Sequence, residues 1–139
     1  VATKLDHIGV AVKSIDRALP LYRDVLGLNL ERVEQVAGQG VTVAILGLGD
    51  TRIELLEPAG PDTPVGRFLA KRGEGIHHIA IGVPDLAAAA GAALGAGLRL
   101  IDEAPSAGTG GRLVAFIHPR STGGVLIELS EEGDPDNDR

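Results

Sequence analysis

The sequence predicts an α+β fold: two βαβββ modules packed side by side, their curved mixed sheets enclosing a cleft. Three observations predict it. Leu5-Asp6-His7-Ile8-Gly9-Val10-Ala11-Val12 returns as Ile76-His77-His78-Ile79-Ala80-Ile81-Gly82-Val83, both rich in β-branched residues and bounded by turn or cap residues. Each copy is followed by a helical pattern and then by three β-like segments. The halves also close alike, Ile53-Glu54-Leu55-Leu56-Glu57 answering Ile127-Glu128-Leu129-Ser130-Glu131.

In chain order, the first strand leads to a helix for which Ser14 or Asp16 offers the cap. Pro20 is tolerable if Asp16 caps, because it then lies only one turn in, where little bonding is lost. Gly27 supplies the stop. Strands follow at 28–33, 41–48 and 52–56. A linker rich in proline (Pro58, Pro61, Pro64) carries a short helix over 65–71 with Thr63 as its cap. In the second half Asp85 caps a helix whose apolar stripe is Leu86, Ala90, Ala93 and Leu94, and Gly97 ends it. Strands are expected at 98–102, 113–117 and 125–129. The chain is thus read as one domain: module one 4–58, linker 59–74, module two 75–131 and an acidic tail 132–139. Neither module alone buries enough surface to be comfortably stable, which argues for the two sharing a core.

Composition excludes several classes. The chain has 139 residues, 44% of them hydrophobic, and a mean hydropathy of +0.16, so it is too apolar for disorder. No window reaches the roughly 18 uninterrupted apolar residues of a membrane span, and no secretory signal is visible; a soluble cytoplasmic protein is expected. Cysteine is absent, which removes disulfides, thiolate nucleophiles and zinc–thiolate sites. The net charge of −6 and only three aromatic residues argue against nucleic-acid binding. Glu131 to Arg139 reads as a solvated terminus, and Glu57, ahead of Pro58, as a solvated strand end.

The repeat also places chemistry. Strand side chains alternate faces, so His7 shares a face with Leu5, Gly9 and Ala11, where small residues leave room. His78 stands in register with His7, which turns His77 the other way. Glu54 and Glu128 occupy matching positions at the module ends. Modules related by a pseudo-twofold axis would bring His7, Glu54, His78 and Glu128 to one point in a metal-binding cleft. Two imidazoles and two carboxylates suit a divalent ion such as Co, Ni, Mn, Fe or Zn, and are too nitrogen-rich for calcium. His118, ahead of Pro119, reads as a turn residue. Gly108-Thr109-Gly110-Gly111 and Ser121-Thr122-Gly123-Gly124 are Gly-rich loops without a nucleotide-binding fingerprint. Taken alone the first reads as a hairpin connection; together they could let backbone N–H groups approach an anion. Arg112 and Arg120 flank them as candidate partners for phosphate or carboxylate.

The duplication with His and Glu at its ends resembles the vicinal oxygen chelate superfamily. Within it, Gly73-Glu74-Gly75-Ile76-His77-His78-Ile79-Ala80, Asp102-Glu103-Ala104-Pro105 and His118-Pro119-Arg120-Ser121-Thr122-Gly123-Gly124-Val125-Leu126-Ile127-Glu128-Leu129 are similar to methylmalonyl-CoA epimerases. The resemblance spans about residues 4 to 131. It implies that His7, His78 and Glu128 bind a divalent metal, often cobalt, with Glu54 at the remaining position. It further implies an acyl-CoA substrate and a homodimer; Glu54 and Glu128, arriving from opposite modules, could then flank the α-carbon, one as base and the other as conjugate acid. Arg112 and Arg120, with Gly110 and Gly111, would then meet the CoA phosphates. Two alternatives share the fold: a glyoxalase I-type lyase acting on a glutathione hemithioacetal, and a metal-free small-molecule binding protein.

Overall fold

The computed structural model describes residues 2–102 and 104–133. Glu103, and the acidic tail from Asp134 onward, lie outside the described residues. The chain divides into two compact units: one is His7–His77, and the other joins the start of the chain, through Asp6, to the stretch beginning at His78.

The first unit holds β1 (Lys4–Ala11) from His7 on, α1 (Ile15–Leu19), a π-helical turn (Pro20–Val25), β2 (Asn29–Val36), β3 (Val41–Leu48), β4 (Thr51–Pro58) and α2 (Pro64–Arg72). Its strands run in the order β2-β3-β4-β1, with β1 parallel to β4 and the rest antiparallel. The second unit contains β5 (Gly75–Val83) from His78 on, α3 (Leu86–Gly95), β6 (Ser106–Ala107), β7 (Leu113–Ile117) and β8 (Ile127–Glu131). Its order is β5-β8-β7-β6, again with one parallel pair, β5 with β8.

The repeat survives at the level of register. In the first unit Ile8, Gly9 and Val10 pair with Ile53, Glu54 and Leu55; in the second Ile79, Ala80 and Ile81 pair with Ile127, Glu128 and Leu129. Each glutamate therefore lies opposite the residue two positions after its histidine.

Alternation sorts the first sheet into two apolar faces. Ala44, Leu46 and Leu55 pack with Ile15, Leu19 and Val12 under α1. The opposite face carries Ala11, Val43, Ile45 and Leu56, and α2 packs on it through Val65 and Phe68. His7 and Glu54 belong to this second face, since they alternate with Gly9, Ala11 and Leu56. The second unit packs α3 on β7 and β8 through Leu86, Ala93, Ala115 and Leu129.

Several expectations need correction. Ser14, not Asp16, caps α1, its hydroxyl accepting from Arg17 N. That moves Pro20 beyond the first turn, where its missing N–H breaks the i→i−4 ladder. The chain answers by widening, Leu26 N donating to Leu21 O at 2.9 Å, the five-residue spacing of a π-bulge. Glu57 is no solvated end: its carboxylate accepts from Ile15 N at 2.9 Å, adding a second cap to α1. Leu94 is 57% exposed, and Ala89 takes its place beside Leu86 and Ala93, which fits 3.6 residues per turn better. The strand expected at 98–102 reduces to a single bridge, Leu100 with Ile117. Arg99 and Gly97 interrupt its apolar pattern, and the pairing next to β7 passes to Ser106–Ala107. The last strand starts at Ile127 rather than 125, because Gly123 and Gly124 hold positive φ of 74° and 99° just before it. Glu131 closes β8, and Glu132 N bonds Val83 O at 2.8 Å, so the acidic segment begins in ordered structure.

Candidate functional site

Each unit buries one His–Glu pair. In the first, His7 comes from β1 and Glu54 from β4, each 2% exposed, and His7 Nδ1 lies 3.2 Å from Glu54 Oε2. In the second, His78 from β5 and Glu128 from β8 are each 6% exposed, with His78 Nε2 at 3.6 Å from Glu128 Oε1. The parallel pairing of first and last strand in each unit builds both. It sets the two side chains on one face, diagonal to each other and within reach.

These spacings test whether a metal fits. With ligand bonds of about 2.0–2.2 Å and angles between octahedral and tetrahedral, neighbouring donor atoms stand about 2.9–3.6 Å apart. Both pairs meet that spacing, and both lie among buried candidate metal-ligand groups. The donors are imidazole nitrogen and carboxylate oxygen, the mixture that first-row divalent ions prefer. The residues fit the group.

The surroundings of the two pairs differ. Glu54 lies across from Ile45 on β3, and Glu128 across from Phe116 on β7. Phe116 stands edge-on to the His78 ring, centroids 6.0 Å apart, fixing the imidazole plane through an aromatic contact.

The other histidines fall where alternation predicts. His77 packs edge-on against Phe68 of α2, with ring centroids 4.9 Å apart. Burial pushes its imidazole down to about 4, so it is neutral at physiological pH. His118 Nδ1 accepts from Arg120 N at 3.0 Å and caps the short turn Pro119–Ser121.

The glycine-rich loops use their N–H groups internally. Gly108 N donates to Arg112 O and Gly111 N to Gly108 O, closing the β6–β7 connection, while Gly110 and Gly111 adopt positive φ of 69° and 72°. The hairpin reading describes this loop. Gly124 N and Thr122 N both donate to Pro119 O, so the second loop is likewise wound on itself.

Arg112 is committed to a partner that the sequence reading did not foresee. Its Nη1 lies 3.2 Å from Asp6 Oδ1, with side chains 14% and 3% exposed; Lys4 Nζ is farther off, at 3.8 Å. Asp6 alternates with His7, and a carboxylate next to an apolar run carried no spacing signal for a partner 106 positions away. Arg112→Ala strands a buried carboxylate, and the expected loss of stability is about 2 kcal/mol. That is below the ~3–5 kcal/mol of a fully enclosed pair, because Arg112 keeps some contact with water. Urea denaturation checks it: a loss under ~0.5 kcal/mol together with a raised KM would assign Arg112 to substrate instead.

A model of the Glyoxalase/Bleomycin resistance protein/Dioxygenase superfamily matches residues 6–116. The chain is 45% identical to the uncharacterised protein YqjC of Bacillus subtilis (strain 168), over 97% of either chain. The crystal structure of methylmalonyl-CoA epimerase from Mycobacterium tuberculosis superimposes with a TM-score of 0.93 at 37% identity, covering 99% of this chain and 93% of that one. A variant of Streptomyces coelicolor methylmalonyl-CoA epimerase in complex with 2-nitronate-propionyl-CoA gives a TM-score of 0.91 at 36% identity, over 96% of this chain and 100% of that one.

Proposed function

The chain belongs to the Glyoxalase/Bleomycin resistance protein/Dioxygenase superfamily, and on that premise we propose that it is a methylmalonyl-CoA epimerase. It interconverts the 2R and 2S thioesters through an enolate formed by removal of the α-proton. The observation that carries this reading is the His–Glu pair buried twice at the same register, Gly9 against Glu54 and Ala80 against Glu128, in a chain similar over nearly its whole length to epimerases.

In this proposal His7, Glu54, His78 and Glu128 would together hold one divalent ion. Such an ion, cobalt first and Ni, Mn, Zn or Fe as alternatives, would supply electrostatic stabilisation of the charge that develops on the thioester and carboxylate oxygens. The two histidines act as neutral donors whose positions the strands fix. One glutamate takes the α-proton while the C–H electron pair moves into the thioester carbonyl. The other returns a proton to the opposite face, and exchange with water resets the pair. Arg120, beside Gly110 and Gly111, is the proposed second-unit contact for the CoA phosphates, and the KM of Arg112→Ala decides whether Arg112 adds to it from its place against Asp6. The single-domain division into modules 4–58 and 75–131, a homodimeric assembly and a cytoplasmic location complete the proposal. Among the described residues no helix is long and apolar enough to cross a membrane.

Deuterium wash-in at the α-carbon of methylmalonyl-CoA, followed with and without chelator, tests this function. Exchange that chelation abolishes and added cobalt restores is the expected result. Exchange unaffected by exhaustive chelation would overturn the metal set. No exchange by metal-loaded protein, with turnover of a glutathione hemithioacetal, would move the assignment to the lyase.

A further inference from the structure

We infer that Phe116 is a specificity-determining residue, its ring forming the wall against which the alkyl group on the substrate's α-carbon rests; the inference rests on the epimerase reading and says which α-substituents that site accepts.

The second unit's sheet has two unlike faces. Ala115, Ile117 and Leu129 turn to α3 and are buried with it. Alternation and register put Val114 and Phe116 of β7, Glu128 and Ser130 of β8, and Ala80 of β5 on the other face. His78, two positions before Ala80, belongs there too. Val114, Ser130 and Ala80 are 2%, 4% and 0% exposed, whereas Phe116 is only partly buried. Among the described strand residues of this face from His78 onward, Phe116 is therefore the bulky apolar side chain that keeps accessible surface.

One row crosses the face at the glutamate: Ala80, Glu128 and Phe116. His78 stands on β5, two strands from β7 and about 9.5 Å away at the usual strand spacing. Yet the two rings meet edge-on, with centroids 6.0 Å apart and planes at 87°. To make that contact the Phe116 ring leans across β8, the strand of Glu128. An aromatic wall thus stands beside the carboxylate and the imidazole together. The matching row of the first unit is Gly9, Glu54 and Ile45. It offers no such wall, because Ile45 is 0% exposed in the cluster that α2 closes.

The α-carbon of the substrate carries four groups. The thioester and carboxylate bring oxygens that take polar partners, and the α-hydrogen faces the glutamate that removes it. Only the alkyl group has no polar partner. Proton transfer needs the α-carbon about 3–3.5 Å from the carboxylate, so the alkyl group at Glu128 comes within reach of the apolar neighbour in the same row, which is Phe116. A methyl group buried against the ring leaves water at no steric cost. A longer chain meets a ring that cannot swing aside, since its packing against His78 holds it.

The test measures kcat/KM of the metal-loaded protein for methylmalonyl-CoA and for propylmalonyl-CoA, which differ only in the length of the α-substituent. In Phe116→Ala the propyl-to-methyl ratio is expected to rise at least about tenfold, the lower end of what a methylene is worth in an apolar pocket. Phe116→Leu falls between Ala and the parent. Ile45→Val, changed in the matching row of the first unit, keeps the parent's ratio. Metal retention during dialysis against a weak chelator is read on the same variants. A ratio in Phe116→Ala equal to the parent's overturns the inference; with metal lost faster and both thioesters slowed alike, the ring is only a support for His78. A ratio raised as much by Ile45→Val also overturns it, since selection would then not belong to Phe116. A parent protein that turns over neither thioester overturns the epimerase reading and this inference with it. Phe116→Met, closer in volume, repeats the comparison should Phe116→Ala fold poorly.

Discussion

His7→Ala and His78→Ala are each expected to lose bound divalent metal and turnover together, with activity down by more than ~10²-fold, beyond the effect of merely disturbing a ligand's supporting bonds. The expectation rests on equivalence. Each histidine is buried beside one glutamate, at 3.2 Å in the first unit and 3.6 Å in the second, and each glutamate is two residues offset from its histidine in the same parallel register. Removing either imidazole leaves a carboxylate with half its coordination partnership. The fold should survive, because each histidine sits beside Gly9 or Ala80 rather than in the leucine-rich faces under α1 and α3. Metal analysis of the purified variants, with circular dichroism as the check on folding, decides the matter. A full metal complement in both variants refutes the ligand assignment, and a full complement in one alone confines the metal to the other unit's histidine.

How far this site was legible in the sequence depends on which kind of signal each residue carried. His7, His78, Glu54 and Glu128 were legible because repetition doubles a weak pattern: one buried histidine in a strand means little, while the same histidine and glutamate at matching positions in two halves constrain each other. Their faces followed from strand alternation without further information. Helix caps were legible wherever a single residue competed for the role, as Thr63 and Asp85 did. They failed where two did, at Ser14 and Asp16, because the deciding contact came from Glu57, more than forty positions away. Pro20 was read as a positional problem, whereas the chain solved it by changing the helix type.

The strand expected at 98–102 and the register of β2 around Arg32 have a common cause. Period-two patterns report which residues are able to alternate, and they are blind to an inserted residue that resets the phase. At Leu30 to Arg32 a bulge turns two charged side chains to the face of Glu54, and nothing in Leu30-Glu31-Arg32-Val33-Glu34 marks it. At 98–102 the apolar residues are present, but the backbone of Leu98 bonds to Ala93 O in closing the end of α3, and only Leu100 reaches a ladder position. The Asp6–Arg112 pair belongs to the same class: strand alternation gives no means of finding the cation that neutralises Asp6.

The second large effect concerns the direction of proton transfer. Glu54 and Glu128 hold equivalent positions in their units, so on the proposed mechanism they address opposite faces of a planar enolate, and removal at one face with return at the other inverts the centre. Glu54→Gln keeps a coordinating oxygen and a similar shape but cannot accept a proton. It is therefore expected to retain metal while slowing α-proton loss from one epimer by ~10²–10⁴-fold, the usual worth of a positioned base. Glu128→Gln should show the opposite preference. Each variant, loaded with metal, is incubated separately with each epimer in deuterated water while α-proton loss is followed. A carboxylate that ligates a metal is a weakened base, so the size of the effect measures how far each glutamate leaves the ion, or acts through a water beside it, during turnover. If both variants at full metal occupancy slow both epimers equally, the two glutamates serve only as ligands and the base must be sought among other groups that reach the substrate.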